Sequence, residues 1–232
     1  RAATALPAPS AEAASYIDAL FAAGERLPVT ERMPDSLGVF FRDSTRYLRS
    51  GTASIGCCTL HGRIVLAADE LRIDSTCRIE RPIIVARKIT VGSGARLTAQ
   101  LFARDTLVVE PRAVLNYPSG IYAGRYAELG NRATVDGYVI VRDTARRKNP
   151  TASYRQSRTS RVRGLLYVDG NAHVQGIVSG RTILRQAVYT SPQGCYINML
   201  YDLTLLENTA TAQPLWLAGY DTLRRKEVVC VE

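Results

Sequence analysis

The sequence lacks most of the groups on which membrane insertion, metal binding and acid–base catalysis depend. Its 232 residues contain no apolar run of about eighteen residues, so no segment reads as a membrane-spanning helix. The five cysteines form no C-x-x-C pair, which argues against a zinc site. Only His61 and His173 are available as imidazole bases, and neither lies in a recognisable catalytic motif. We therefore expect no metal, no cofactor and no catalytic residues.

The cysteines leave their pairing open. Cys57 and Cys58 are adjacent, Cys77 stands alone, and Cys195 and Cys230 lie within the last forty residues. The last two would be able to pair in an oxidising compartment. Because the count is odd, at least one thiol stays outside any intramolecular disulfide.

A seven-residue phrase recurs along the chain, with an aliphatic residue at both ends. Ile73–Ile79, Val91–Leu97 and Val109–Leu115 are spaced by eighteen residues; Leu129–Val135 follows after twenty and Val168–Val174 after thirty-nine. The fifth position is always small, which predicts an inward column of Cys77, Ala95, Ala113, Ala133 and Ala172. Short aliphatic runs separated by turn residues, without a helical pattern between them, are typical of a β-solenoid.

The repeat predicts an all-β fold, a single-stranded parallel β-helix of about eighteen residues per coil. Aliphatic residues also recur at six-residue steps, as in left-handed hexapeptide proteins. However, the position four residues after each aliphatic one alternates between small and bulky side chains. The unit is therefore eighteen residues, which favours a right-handed helix over a left-handed one.

The stretch "ARKITVGSGARLTAQLFARDTLVVEPRAVL", residues 86–115, resembles the core of a bactofilin. The resemblance covers roughly residues 60–180 and implies a right-handed β-helix that polymerises end to end without a nucleotide. In addition, "LNYPSGIYA" and "GLLYVDGNAHVQGIVSG" are similar to segments of uncharacterised, membrane-anchored β-helix proteins of Bacteroidetes-type bacteria.

The two ends of the chain lie outside the repeat. Residues 1–50 read as a linker and a helix over Ser10–Gly24, which either caps the first coil or leads from a membrane anchor. The Ala/Pro/Ser-rich start resembles a linker left after an anchor or signal peptide is removed, so we expect an extracytoplasmic protein. Residues 51–232 form the β-helix domain, with irregular strands from about 195 covering the last coil. Capped ends would obstruct polymerisation.

Residues 142–163 hold most of the excess positive charge. Seven Arg, one Lys and one Asp give this segment +7 of the formal +9. We expect a mobile insertion that contacts an anionic partner through Arg142, Arg146, Arg147, Lys148, Arg155, Arg158, Arg161 and Arg163. Tyr154 is its single aromatic residue, so nucleic acid is not the expected partner.

Three functions follow as hypotheses. The first is a non-enzymatic scaffold of the bacterial envelope, displayed from a membrane anchor and associating with itself or with other envelope proteins. The second is a binding module for anionic polysaccharide or another acidic envelope partner. The third, a polysaccharide-active enzyme, needs clustered carboxylates. Asp74 and Glu110 occupy equivalent turn positions, but Gly92 and Gly130 stand at the same phase in other coils, so no acidic ladder is predicted.

Overall fold

The computed structural model describes residues 6–7, 10–29, 34–40, 42–143 and 151–207. Within them, one helix precedes strands that pair almost entirely in parallel. The helix is α1 (Ala11–Arg26), and the strands are β1 (Ser36–Val39), β2 (Arg46–Ile55), β3 (Thr59–Gly62), β4 (Ile64–Ile73), β5 (Arg78–Val91), β6 (Arg96–Val109), β7 (Val114–Ala123), β8 (Tyr126–Leu129), β9 (Thr134–Val141), β10 (Tyr154–Gln156), β11 (Arg161–Val174), β12 (Gly176–Ser191), β13 (Gly194–Ile197) and β14 (Leu203–Leu206).

The strands wind into a parallel β-solenoid of about eight turns, which confirms the predicted fold class. The register between β5 and β6 shifts twice, after Glu80 and after Ala86. These shifts divide the coil that contains β5 into three straight parts, which we call segment 1 (78–80), segment 2 (83–86) and segment 3 (88–91). The same three segments recur in the other coils, and a turn leads from segment 3 to segment 1 of the next coil. Segment 2 of the successive coils lies in β2, β4, β5, β6, β7, β9, β11 and β12.

Alternate side chains point into the solenoid and form one continuous core. In β5, Ile79, Ile84, Ile89 and Val91 are at most 1% exposed, while the intervening charged residues face solvent. This is the period-two pattern of a strand with one buried face. Each buried aliphatic side chain of this size contributes roughly 1.5–3 kcal/mol relative to full exposure.

Small residues line the core at the last position of the turns. Four of the five predicted positions stack there, each donating its backbone N–H to the carbonyl three residues earlier: Cys77, Ala95, Ala113 and Ala133. Ser160 is the next member of this column, because its N–H bonds to the Ser157 carbonyl in the same way, at 3.0 Å. Its side chain is 1% exposed.

Ala172 is buried but does not belong to this column. In segment 3, Ala172 pairs with Tyr154 of the preceding coil, and Tyr154 pairs with Ala127 of the coil before that. The phrase Val168–Val174 resembles the other copies, yet it spans the end of segment 2 and segment 3 instead of the turn. The last turn position and the segment 3 position both hold a small, inward side chain. Sequence spacing did not separate them, because the coil before Ala172 is longer than eighteen residues.

That longer coil accounts for the basic segment. The extra residues enter between segment 2, which ends at Val141, and segment 3, which begins at Tyr154. At the base of the insertion the Ser153 hydroxyl donates to the Asp143 carboxylate at 2.7 Å, and both residues are buried. Residues 151–163 are an ordinary part of the solenoid and not the mobile loop expected of 142–163. Residues 144–150, with Arg146, Arg147 and Lys148, lie outside the described residues.

Helix α1 begins where the sequence predicts and lies along the side of the solenoid, not over its first coil. Ser10 is the N-cap: its hydroxyl accepts a bond from the Ala13 N–H at 3.1 Å. Ile17, Leu20 and Phe21 pack against the outer face of segment 2 in a second hydrophobic cluster with Val65, Val85, Phe102, Tyr122, Tyr138, Ile140, Leu165 and Tyr167. These residues belong to successive coils, so the helix crosses the strands.

Hydrogen bonds at both ends show the direction of this crossing. Before the helix, the Pro7 carbonyl accepts a bond from the Tyr167 hydroxyl of β11 at 3.0 Å. After it, Arg49 of β2 donates to the carbonyls of Glu25 and Leu27 at 2.6 and 3.1 Å. The N-terminal segment therefore runs from the seventh coil back to the first, and its apolar face is a lateral cover.

The C-terminal strands continue the solenoid for part of another turn. β14 stacks in parallel on segment 1 of β12, and β13 forms an antiparallel hairpin with the end of β12. This end exposes an unusual number of large apolar side chains: Tyr196, Ile197, Met199, Leu200, Tyr201, Leu205 and Leu206. Residues 208–232, which were expected to help cover the last coil, lie outside the described residues.

Three stacked glycines let the chain pass from segment 1 to segment 2 without a loop in the last coils. Gly137, Gly164 and Gly180 pair with one another, with φ of 142°, 130° and 135°. A β-carbon on Gly164 would lie 1.8 Å from the Gly137 carbonyl oxygen. Both the dihedral and the contact exclude a side chain here.

Replacing Gly164 by Ala should lower the free energy of unfolding by about 3 kcal/mol, because strain at φ and a backbone clash add together. Gly51→Ala is the matched control, since a β-carbon there meets nothing within 4 Å; its effect should stay within about 0.5 kcal/mol. Urea unfolding followed by circular dichroism measures both. Equal midpoints for the two variants would contradict this account of the corner.

Candidate anion-binding site

Five turns between segment 3 and segment 1 share one geometry. In each, the fourth residue donates its N–H to the carbonyl of the first at 3.0–3.3 Å, and its side chain is buried. The residues immediately before and after this buried position point outward. The five turns are residues 74–77, 92–95, 110–113, 130–133 and 157–160.

One arginine flanks the buried position in every one of these turns. It comes either just before it or just after it, and all five are exposed: Arg78, Arg96, Arg112, Arg132 and Arg161. Because the turns stack about 4.8 Å apart, the five arginine positions span roughly 19 Å along one edge of the solenoid. We call this row the arginine edge.

The five arginines of the edge have no acidic partner in the described part of the chain. Within the residues that the structure describes, none of the five forms an ion pair. Several other arginines are paired: Arg104 lies 2.6 Å from Glu25, Arg125 lies 3.3 Å from Asp105, and Arg87 and Arg185 contact Glu70 and Asp169. The edge is therefore a strip of uncompensated positive charge.

The acids that lie near the edge are already engaged. Glu110 accepts two bonds from Arg72, at 2.6 and 2.8 Å, and one from the Ser93 N–H, and these bonds hold the pKa of its carboxyl below the usual value. Asp74 accepts bonds from Ser75 and from the Thr76 N–H, with the latter the main cause of its lowered pKa. Both carboxylates are ionised at neutral pH but turned to local partners.

A surface depression of about 470 Å³ lies at the centre of the edge. It is lined by Pro111, Arg112, Asn131, Arg132 and Thr159. The Arg112 N–H donates to the Asn131 carbonyl at 2.9 Å, and the Arg132 N–H donates to the Thr159 hydroxyl at 2.9 Å. These bonds fix the backbone on which the two central guanidinium groups stand.

Arg112 and Arg132 occupy a backbone conformation that suits glycine. Their φ values are 63° and 59°, and Gly94 holds the same turn position one coil earlier at 73°. Left-handed backbone costs a non-glycine residue about 1–2 kcal/mol. Arginine therefore carries a local cost at both positions, as Arg81 does at φ 68°.

The structure distributes the predicted basic residues instead of collecting them. Arg161 is part of the arginine edge; Arg155 is exposed on segment 3, beside His173 of the next coil. Arg158 and Arg163 are engaged by Asp202 at 3.3 Å and by Asp136 at 2.8 Å.

Arg142 is half-buried on the outer side of segment 2, close to Tyr122. Burial raises the pKa of the Tyr122 hydroxyl, and Arg142 partly opposes that rise. The Nε atom of Arg142 is buried and has no hydrogen-bond partner. Its position beside an apolar cluster makes it a poor candidate for the partner contact predicted for it.

The two histidines lie in different coils, on β3 and β11. His61 lies 3.6 Å from Glu80 on an exposed surface. His173 is partly buried, which lowers its pKa, and its Nδ1 faces the Thr190 N–H at 3.5 Å. No group of three or more His, Cys, Asp or Glu able to hold a metal occurs among the described residues.

Comparison with models of protein families, with curated proteins and with solved structures found no match. Within the described part of the chain, no helix is long and apolar enough to cross a membrane. The site is therefore interpreted from its own geometry.

Sequence reasoning missed four members of the edge: Arg78, Arg96, Arg112 and Arg132. The repeat contains the signal, because Arg78 and Arg96 are eighteen residues apart and Arg112 and Arg132 are twenty apart. This spacing was overlooked because the densest run of arginines in the sequence lies in 142–163 and drew the prediction there. In addition, some of these arginines precede the buried residue of the turn and others follow it, so their sequence positions do not repeat at one fixed phase.

Replacing Arg112 by Gly should raise the free energy of unfolding by about 1 kcal/mol, because glycine adopts positive φ without strain. Arg96→Gly, in ordinary strand conformation, should lower it by up to about 1 kcal/mol. Chemical denaturation of the two variants beside the parent protein checks both signs. A loss of stability in Arg112→Gly would show that this arginine supports the fold.

Proposed function

We propose that this protein is a non-enzymatic β-solenoid module that binds a linear acidic polysaccharide along its arginine edge. The observation that carries the proposal is the row of five exposed arginines, one in each of five successive turns, without ion-pair partners in the described residues. This retains the polysaccharide-binding hypothesis and moves its residues from the basic segment to the turns.

The rigidity of the solenoid makes such a row effective. A single exposed ion pair contributes about 0.2–1 kcal/mol, so no one arginine would hold a ligand. Five on a stiff scaffold act together, because binding of the first carboxylate raises the local concentration of the next. Since the backbone is already ordered, little conformational entropy is lost on the protein side.

The pattern suits an extended polycarboxylate better than a nucleic acid. The phosphates of a duplex strand follow a helical path with an axial rise of about 3.4 Å per nucleotide, whereas the arginine edge is straight with about 4.8 Å between coils. Single-stranded nucleic acid binding uses aromatic side chains on which bases stack. The five turns and the arginines that follow them contain no aromatic residue.

Binding of a fluorescent polygalacturonate oligomer, followed by anisotropy in about 50 mM salt, tests the proposal. The triple variant R96S/R112S/R132S should bind at least about tenfold more weakly, since it removes the centre of the edge. The control R42S/R46S/R155S removes the same charge from exposed arginines off the edge, and its affinity should fall by less than about threefold.

Other outcomes are equally informative. Equal losses in the two triple variants would mean that net charge, and not the edge, governs binding. Tighter binding of a single-stranded oligothymidylate than of polygalacturonate would overturn the choice of ligand. Neutral dextran should not bind, because it offers no charge to the guanidinium groups.

A second candidate is the envelope scaffold, related to bactofilins and displayed from a bacterial membrane. What supports it is the eighteen-residue coil and the seven exposed apolar side chains over 196–206 at the last coil. Exposed apolar side chains gathered in one segment are typical of an interaction site. In this proposal the C-terminal end associates with a second copy or another envelope protein, outside the cytoplasm.

Light scattering over a hundredfold range of concentration tests the scaffold proposal. We expect mass to rise with concentration, and L205S/L206S to reduce that rise, because both leucines are about half exposed at this end. Tyr117→Ser is the control, since Tyr117 is 50% exposed on a middle coil. A constant monomer mass in the parent protein would rule out self-association as the role of this surface.

A further inference from the structure

Two buried thiols face each other at the start of the small-residue column. The Sγ atoms of Cys58 and Cys77 are 3.2 Å apart, and each residue is 6% exposed. The two cysteines end successive turns, in neighbouring coils. Both are free thiols in the structure.

The backbone places these residues within reach of a covalent bond. The Cys58 carbonyl accepts a bond from the Arg78 N–H at 2.8 Å, so the two coils are held in register at this point. Neighbouring coils lie about 4.8 Å apart, inside the range of about 4.4–6.8 Å between the Cα atoms of a disulfide. Closing the remaining gap requires a side-chain adjustment of about 1 Å.

The pair also has the unequal acidity that thiol–disulfide exchange uses. The Cys58 thiol donates a hydrogen bond to the Cys77 sulfur, which lowers the pKa of Cys77 to about 7. The same bond and burial raise the pKa of Cys58. The Cys77 Sγ lies 3.1 Å from the Ile55 carbonyl, and its lower pKa makes Cys77 the first of the two thiols to ionise to the reactive thiolate.

We propose that Cys58 and Cys77 form a disulfide when the protein meets an oxidising disulfide, such as oxidised glutathione. The Cys77 thiolate attacks one sulfur of the oxidant, forming a mixed disulfide and releasing one thiol. Cys58 loses its proton and displaces the second thiol, which completes the Cys58–Cys77 bond. The two cysteines give up two electrons and two protons, and the oxidant disulfide is reduced to two thiols.

The bond joins the second and third coils at the end of the arginine edge, because Arg78 directly follows Cys77. It closes a loop of about twenty residues in the unfolded chain, which limits the entropy gained on unfolding. The bond needs no bound ligand, and it fixes a pairing among cysteines whose partners the sequence leaves open.

Peptide mapping of the oxidised full-length chain tests the pairing. The protein is incubated with oxidised glutathione, its remaining thiols are alkylated under denaturing conditions, and it is cleaved with trypsin. Cleavage after arginine gives the peptides Ser50–Arg63 and Ile73–Arg78, which should appear as one species that has lost two hydrogens and separates on reduction. The thermal midpoint should rise by roughly 5 °C or more.

Single variants identify the sulfur atoms. C57S should keep the linked peptides, because Cys57 is exposed and lies outside the core, whereas C58S should lose them. Persistence of the link in C58S would assign it to Cys57 and overturn the proposal. Full alkylation of Cys58 and Cys77 after oxidation, at a redox potential that oxidises free cysteine, would overturn it as well.

Discussion

The parallel hydrogen bonding of one coil on the next is the constraint on which the whole molecule depends. It fixes the register of the coils, so each residue meets its equivalent about 4.8 Å away in both neighbours. The choice of side chain at any position is therefore constrained by the equivalent residues in the coils above and below it. Inward columns are aliphatic or small, the corner column of Gly137, Gly164 and Gly180 excludes side chains, and charge in an outward column is repeated along the surface.

Stacked coils contact only their neighbours, which leaves a solenoid weakly cooperative over distance. Helix α1 changes this, because its segment is bonded to Tyr167 of the seventh coil and to Arg49 of the first. The apolar outer face of segment 2 follows from the same arrangement. A face that carries Val65, Val85 and Phe102 outward has no stable place in water and needs a lateral cover.

Periodicity predicted the coil, the core positions and the helix N-cap, since each depends on local spacing of side chains. It failed where one coil departs from the period. The insertion after Val141 shifted the phase, so Ala172 was assigned to the place that Ser160 occupies. Helix position also escaped prediction, because an amphipathic sequence states which face is buried but not against which surface. The arginine edge needed the turn geometry, which puts residues on either side of a buried position on one edge.

Two residues of the arginine edge carry a conformational cost. Arg112 and Arg132 stand one coil apart in left-handed backbone, where like charges repel and glycine would be unstrained, as Gly94 is in the preceding coil. Other outward arginines are paired, as Arg163 is with Asp136 at 2.8 Å. The proposed anion site would give a function to this local cost, which the fold also accepts at Arg81, where φ is 68°. An anion placed across neighbouring coils would relieve the repulsion, and a linear polymer of carboxylates would relieve it along the whole edge.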